Sequence, residues 1–186
     1  MYCPNCEKEV ESVVLTVPET YPVKGENITI NANVRYCSCC HSDIWDDVLD
    51  SQNLLDAYAV YRTKHGLLHP IDIRATREMY NLSQTAFARI LGLGDKTITR
   101  YENGSIPDSA PNNLIFLCQQ PSIFEHLLEK NKDKISHTDY ENARSALEQR
   151  RPRIIYSKRN DPYTFGDNNS IVYNKKNSYW GDRIYA

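Results

Sequence analysis

Two Cys-x-x-Cys knuckles lie in the first 40 residues: Cys3-Pro4-Asn5-Cys6 and Cys37-Ser38-Cys39-Cys40. Each can present two thiolates to one ion, and four soft thiolates in a tetrahedron suit zinc. A lobe of residues 1–47 can barely bury a core by itself, so a bound ion would substitute for one. The expected ligands are Cys3, Cys6, Cys37 and Cys40, with one structural Zn2+ per chain. Two disulfides are the alternative. The chain opens on the first knuckle with no signal-peptide pattern ahead of it, which favours a reducing cytoplasmic setting where disulfides are rare. Cys39 breaks the two-residue gap and is the expected spare. His41 is a ligand by type, but it is badly placed beside Cys40. A closed four-thiolate site leaves no open position for water, so no metal catalysis is expected. Cys118 sits in the apolar run Leu114-Ile115-Phe116-Leu117 and reads as core.

The formal net charge of −2 is not that of a strongly basic nucleic-acid binder, but the charge is unevenly spread. Residues 1–69 carry five basic and ten acidic side chains, whereas residues 151–186 carry seven basic and three acidic ones. An acidic head and a basic tail suggest separate partners for separate segments. No apolar run approaches the ~20 residues that span a bilayer.

The expected fold is α+β: a small antiparallel zinc-ribbon-like lobe, then an all-α helix-turn-helix lobe, then an extended C-terminal tail. Val13 to Val17 form a β-prone run that Pro18 should end. Ile28, Ile30, Ala32, Val34 and Tyr36 alternate with polar residues, the period of a strand with one buried face. Residues 48–65 read as a helix over Val48, Leu49, Leu55, Tyr58, Ala59 and Arg62, with Gly66 as its C-cap. Residues 71–79 begin the next lobe. Ser83 should cap a second helix, Gln84 to Leu91, and Gly92-Leu93-Gly94 gives the turn. Asp95 should cap a third helix, Lys96 to Glu102, and Pro111 should start a fourth. Two short helices, a glycine turn and a third helix are the anatomy of a helix-turn-helix, with Ala86, Phe87, Ile90, Leu91, Leu93, Ile98 and Tyr101 as its core. Apolar stripes predict further helices at 122–131 and 137–150. The implied division is a zinc lobe at 1–47, a linker helix at 48–69, a DNA-binding domain at 70–120, packing or dimer helices at 121–150 and a tail at 151–186.

The run Leu82-Ser83-Gln84, Phe87-Ala88, Leu91-Gly92, Thr97-Ile98 and Arg100-Tyr101-Glu102-Asn103-Gly104 resembles the Xre-type helix-turn-helix. Joined to a double Cys-x-x-Cys lobe, it resembles the MqsA (YgiT-type) antitoxin family over about residues 1–130. That resemblance implies structural zinc on four cysteines, a homodimer formed through the C-terminal lobe, repression of the chain's own operon and neutralisation of a partner toxin. Three features depart from the family pattern. His41 stands where a glycine usually follows the last zinc cysteine. Lys96 stands where the family places a base-reading Asn, while the base-reading Arg is kept as Arg100. The tail has no counterpart in short members.

The chemistry of DNA reading fits these residues. Lys96 and Arg100 lie one turn apart, and each can donate to guanine O6 and N7 in a major groove. Ser83, Gln84 and Thr85 open a helix whose N-terminus suits a phosphate. Thr97 and Thr99 are further polar candidates. Set against this, Arg100 could pair internally with Glu102, Lys96 could be merely solvated, and Tyr101 reads as core. A lobe with no excess of positive charge grips phosphate weakly, so operator binding should need a dimer on two half-sites.

Enzyme readings find no support in the sequence: five His are scattered and no nucleophile–base pattern or phosphate loop is visible. The rival classes are a zinc-containing Xre-family regulator without a toxin, and an adaptor that has lost DNA binding. In the tail, Tyr156, Tyr163, Phe165, Tyr173, Tyr179, Trp180 and Tyr185 lie among basic and Asn residues. Such a segment can order on a partner rather than remain solvated linker. It is similar to the chaperone-dependent extension of some antitoxins, which implies a SecB-like chaperone. Wrapping of the toxin and an inert end are the alternatives.

Overall fold

The computed structural model describes residues 1–150, so the sequence expectations for 151–186 lie outside the described residues. Two antiparallel pairs come first: β1 (Tyr2–Cys3) with β2 (Lys8–Glu9), and β3 (Ser12–Val23) with β4 (Glu26–Cys37). Seven helices follow: α1 (Asp47–His65), α2 (Pro70–Glu78), α3 (Gln84–Ile90), α4 (Thr97–Glu102), α5 (Ser109–Leu117), α6 (Pro121–Asn131) and α7 (His137–Arg150). A 3₁₀ turn at Lys132–Lys134 joins the last two. The fold is α+β with a four-cysteine ribbon-like site, as the patterning predicts.

The long hairpin corrects one expectation: β3 does not stop at Pro18 but runs through Pro18 and Pro22 to Val23. The register explains why. Pro18 pairs with Asn31 and Pro22 with Asn27. Two residues further along the same ladder, Asn33 opposite Thr16 turns its backbone outward, its N–H donating to the Asn53 side chain at 3.0 Å. Alternate positions of an antiparallel pair carry no cross-strand bond. Both prolines therefore occupy positions where a missing N–H costs no ladder bond.

The alternation in β4 holds: Ile28, Ile30, Ala32 and Val34 are buried and Tyr36 is half-buried. They pack on α1 along only part of the expected stripe: Arg62 is buried and Leu49, Tyr58 and Ala59 are half-buried. Val48 and Leu55 are exposed, and the buried positions are Asn53, Ala57 and Arg62. Tyr58 and Tyr61 pack against the hairpin cluster, and small or polar residues stand where the hairpin backbone comes close. Asn53 bonds both the N–H and the C=O of Asn33, and Ala57 leaves room for the sheet. Asp46 caps α1 by accepting from the N–H groups of Val48 and Leu49, and Gly66 ends it at φ 61° in the left-handed region that glycine favours.

The helical lobe has its own core. Ile73, Tyr80, Phe87, Ile90, Ile98, Ile115, Cys118, Phe124 and Leu128 are all fully buried. The expected core residues are buried except Leu93, which packs against the cluster while part-exposed. Tyr80 stacks on Phe124 at 3.6 Å between ring centroids, and its hydroxyl donates to the Cys118 carbonyl at 2.5 Å. Burial pushes the Cys118 thiol up to about 12, consistent with its reading as core. The fourth helix of the lobe starts at Ser109 rather than Pro111, which falls inside its first turn.

Truncating this core should be costly. Phe124→Ala removes a fully buried ring and leaves Tyr80 and Phe87 facing a cavity, so it should lower unfolding free energy by about 3–5 kcal/mol in urea titration.

Candidate metal centre and nucleic-acid interface

The hairpin brings the two knuckles together. β4 ends on Cys37, whose N–H donates to the Ser42 carbonyl at 2.9 Å, turning the second knuckle back on itself. The first knuckle sits between β1 and β2, and the amide of Ser38 is tied to the Glu11 carbonyl at 3.1 Å. The chain leaves both knuckles the same way. Glu7 follows Cys6 at φ 53° and His41 follows Cys40 at φ 58°, each in the left-handed region. That conformation costs a non-glycine residue about 1 kcal/mol, which rationalises a glycine preference at the position His41 fills.

The sulfurs of Cys3, Cys6, Cys37 and Cys40 all lie within 4.8 Å of one another. Cys3 is 3.6 Å from Cys40 and Cys6 is 3.8 Å from Cys37. Four sulfurs at ~2.3 Å from a central ion have tetrahedral edges of about 3.8 Å, so this quartet is spaced to receive one. The same distances are far beyond the ~2.05 Å of a disulfide, and all six cysteines are free thiols. Cys39 points out to solvent, and neither it nor His41 joins the quartet.

Groups the sequence did not single out surround the sulfurs. The N–H groups of Cys39 and Cys40 point at the Cys37 sulfur, at 3.3 and 3.5 Å. Ser42 Oγ lies 2.9 Å from Cys40 Sγ. The Asn5 side chain and then Ser42 hold the Cys40 thiol down to about 5, whereas its hydrogen bond with Cys40, then burial, pushes Cys6 up to about 12. Such donors stabilise negative sulfur and orient it, as the outer shell of a metal site does. Ile44 and Val10 close the apolar side of the cluster.

The second site is the face of the helix-turn-helix. Ser83 caps α3, its Oγ accepting from the Ala86 N–H at 3.1 Å. Asp95 does not cap α4. It forms a two-pronged pair with Arg89, Nε to Oδ1 at 3.0 Å and Nη2 to Oδ2 at 2.8 Å. Lys96 occupies the cap position in a helical conformation, with no side-chain cap bond. The planar fork of Arg89 takes both carboxylate oxygens, which a backbone cap could not.

Lys96 and Arg100 are both exposed, and among the described residues neither forms an ion pair. Arg100 does not pair with Glu102, because Glu102 is buried and already occupied. Arg77 donates to it through Nε at 2.6 Å and Nη2 at 3.0 Å, Arg74 through Nε at 3.4 Å, and Gln84 through Nε2 at 2.7 Å. Gln84 in turn accepts from Thr99 Oγ1 at 2.8 Å. Gln84 and Thr99 thus brace α3 against α4, while Thr85 and Thr97 are part-exposed on their helices. Tyr101 is buried, as its core reading expects. Sequence reading offers Glu102 only as a neighbour for Arg100, since its actual partners lie 18 to 28 residues away.

Burial alone would raise the Glu102 carboxyl; the bonds from Arg77 and Gln84 outweigh it and hold it below the usual carboxylate range. A depressed folded-state pKa adds stability above the unfolded value, and that stability is lost as pH falls through the folded one. Glu102→Gln should therefore destabilise the fold near pH 7 and flatten the loss of stability between neutral and acid pH, read by chemical denaturation across that range. Leaving Arg77 without its buried carboxylate should cost about 3–5 kcal/mol at neutral pH.

No helix among the described residues is long and apolar enough to cross a membrane. No curated protein sequence matches the chain. A family model described as "Antitoxin component of bacterial toxin-antitoxin system, MqsA" matches residues 1–129, which span the four-cysteine site, the hairpin and the helix-turn-helix. The chain belongs to the MqsA family of antitoxin components of bacterial toxin–antitoxin systems.

Proposed function

We propose that this protein neutralises a partner toxin by direct binding and represses its own operon by binding operator DNA as a homodimer. The family match over residues 1–129 is the observation that carries the toxin reading. The exposed, unpaired Lys96 and Arg100 support the DNA reading. Braced by the Glu102 network, α4 would act as the recognition helix, with both cations offered to guanines and the start of α3 offered to phosphate. Phe116 and Leu117 on α5, both exposed, suit a dimer contact in the helical lobe. The reading is of a cytoplasmic binding protein, not an enzyme.

The four thiolates would hold zinc, whose preference for a closed tetrahedral sulfur set fits the donors present. Its role would be structural: it would fix both knuckles and shape the lobe of residues 1–47. Residues 48–69 would connect this lobe to the DNA-binding unit at 70–120, and residues 121–150 would complete the packing. The aromatic, basic segment from 151 would bind a partner, with a SecB-like chaperone as the reading the resemblance favours.

Zinc is tested by metal analysis of purified variants. Cys37→Ser should lose the ion and unfold the first lobe, whereas Cys39→Ser should keep about one zinc per chain. Metal lost in Cys39→Ser and kept in Cys40→Ser overturns the ligand set.

The function is tested with the chain's own promoter and the product of the neighbouring gene. Arg100→Ala should cost ~1–3 kcal/mol in operator affinity and relax specificity at the base it reads. Coexpression should suppress the neighbour's toxicity with either the wild-type or the Arg100→Ala chain, because neutralisation does not need DNA. A harmless neighbour favours a zinc-containing regulator without a toxin. If the full chain needs a chaperone to neutralise and a chain ending at residue 150 does not, the tail is a chaperone-dependence element; if the two chains behave alike, the tail is inert in neutralisation. If the shortened chain never neutralises, the tail contacts the toxin.

A further inference from the structure

We propose that the basic segment of residues 150–159 is an arm that grips the phosphate backbone of the DNA read by α4. This rests on the reading of α4 as the recognition helix. Residues 150–159 hold five cations, Arg150, Arg151, Arg153, Lys158 and Arg159, and no carboxylate. Residues 160–186 hold three cations and three carboxylates, with six of the seven aromatic side chains singled out above. The positive excess of the C-terminal segment therefore lies wholly in residues 151–159, and the aromatic remainder is neutral. Such a division separates a part suited to a polyanion from a part suited to a protein groove.

The helical lobe is short of the charge that such an arm supplies. Residues 70–120 carry five cations and five carboxylates. Three of the cations are committed, Arg74 and Arg77 to Glu102 and Arg89 to Asp95. Lys96 and Arg100 remain, and both are assigned to base edges. Helix N-termini and hydroxyls help to position DNA, but neutralisation of phosphates by Lys and Arg supplies most of the salt-dependent affinity. If Lys96 and Arg100 read bases, residues 70–120 keep no uncommitted cation for the backbone.

α7 delivers this segment to the helical lobe at the junction of α2 and α3. Ala143 and Leu147 belong to the same apolar cluster as Tyr80 and Leu82, which lie between those two helices. Burial and then the Cys118 thiol raise the Tyr80 hydroxyl, and the charge of Arg150, the last residue of α7, acts against them, so it lies close by. Tyr80 stands three residues ahead of Ser83, the cap of α3, whose first turn is the one offered to phosphate. Nine residues beyond Arg150 span at most ~30 Å, several times the ~10 Å length of the seven-residue α3. An arm starting there reaches phosphates flanking α3 and α4. Short basic arms joined to a compact reading unit add contacts beyond the bases that the helix reads. The family match ends at residue 129, ahead of both α7 and the arm.

The test measures binding of the full-length chain to its own promoter and to an unrelated duplex, from about 0.05 to about 0.2 M salt. One variant combines Arg151→Gln, Arg153→Gln, Lys158→Gln and Arg159→Gln. It should bind both duplexes at least about 10-fold more weakly, with a slope of log affinity against log salt shallower by about 2–4 per chain bound. The preference for the promoter should hold, because phosphate contacts carry no sequence information. Arg151→Lys, Arg153→Lys and Arg159→Lys together keep the charge and should keep the wild-type slope, and so should Tyr163→Ala with Trp180→Ala. An unchanged slope in the Gln variant overturns the arm. A Gln variant that keeps its slope and no longer neutralises the neighbouring gene's product assigns the segment to a protein partner instead. Arg100→Ala should lose preference for the promoter and keep its slope to within about 1. A wild type that prefers neither duplex, with a slope that still depends on the four cations, refutes the reading of α4 and leaves the arm. A wild type that binds neither duplex refutes both.

Discussion

Everything in the first lobe depends on the convergence of four sulfur atoms within 4.8 Å. Around the knuckles there is little apolar interior: Cys3, Cys37 and Ile44 are the buried members there, while the buried face of β4 packs on α1 instead. β1 and β2 are two residues each, far too short to hold a structure alone. The knuckles supply what packing does not. Both leave their second cysteine through a left-handed residue, and their amides and hydroxyls aim at the sulfurs. Such a cluster of partly charged thiols is a poor core by itself and a good cage for a soft divalent ion.

The helical lobe solves a different problem. Its helices α3 and α4 have seven and six residues, too short to be stable in isolation. They are held by the apolar cluster beneath them and by one buried carboxylate above it. Glu102 gathers Arg77, Arg74 and Gln84, and so ties α2, α3 and α4 at a single point. Because Glu102 is taken up there, it does not claim Arg100, whose guanidinium stays at the surface. Stability of α4 and exposure of its outer face thus follow from the same network.

On the buried face of α1, Asn53 and Arg62 stand beside Ala57. Asn53 completes the open edge of β4 and Arg62 completes the end of α4. Both side chains satisfy backbone groups that would otherwise be stranded when the layers close. The match to the antitoxin family runs across both lobes, over residues 1–129.

Local chemistry was legible in the sequence. The Cys-x-x-Cys spacing identified the quartet and set Cys39 aside, the period-2 pattern placed the buried face of β4, and Ser83 and Gly66 marked helix ends, because each signal acts within a few residues. The limits of the strands and the short caps were less so. Pro18 reads as a stop until the register with Asn31 puts it on the unbonded side, and Asp95 reads as a cap until Arg89 claims both its oxygens. Only the tertiary structure decided which face of α1 is buried, who partners Glu102, and why Arg62 is inside. Those outcomes depend on backbone and side chains 18 to 42 residues away, brought within hydrogen-bond reach only when the layers pack, and no local propensity records them.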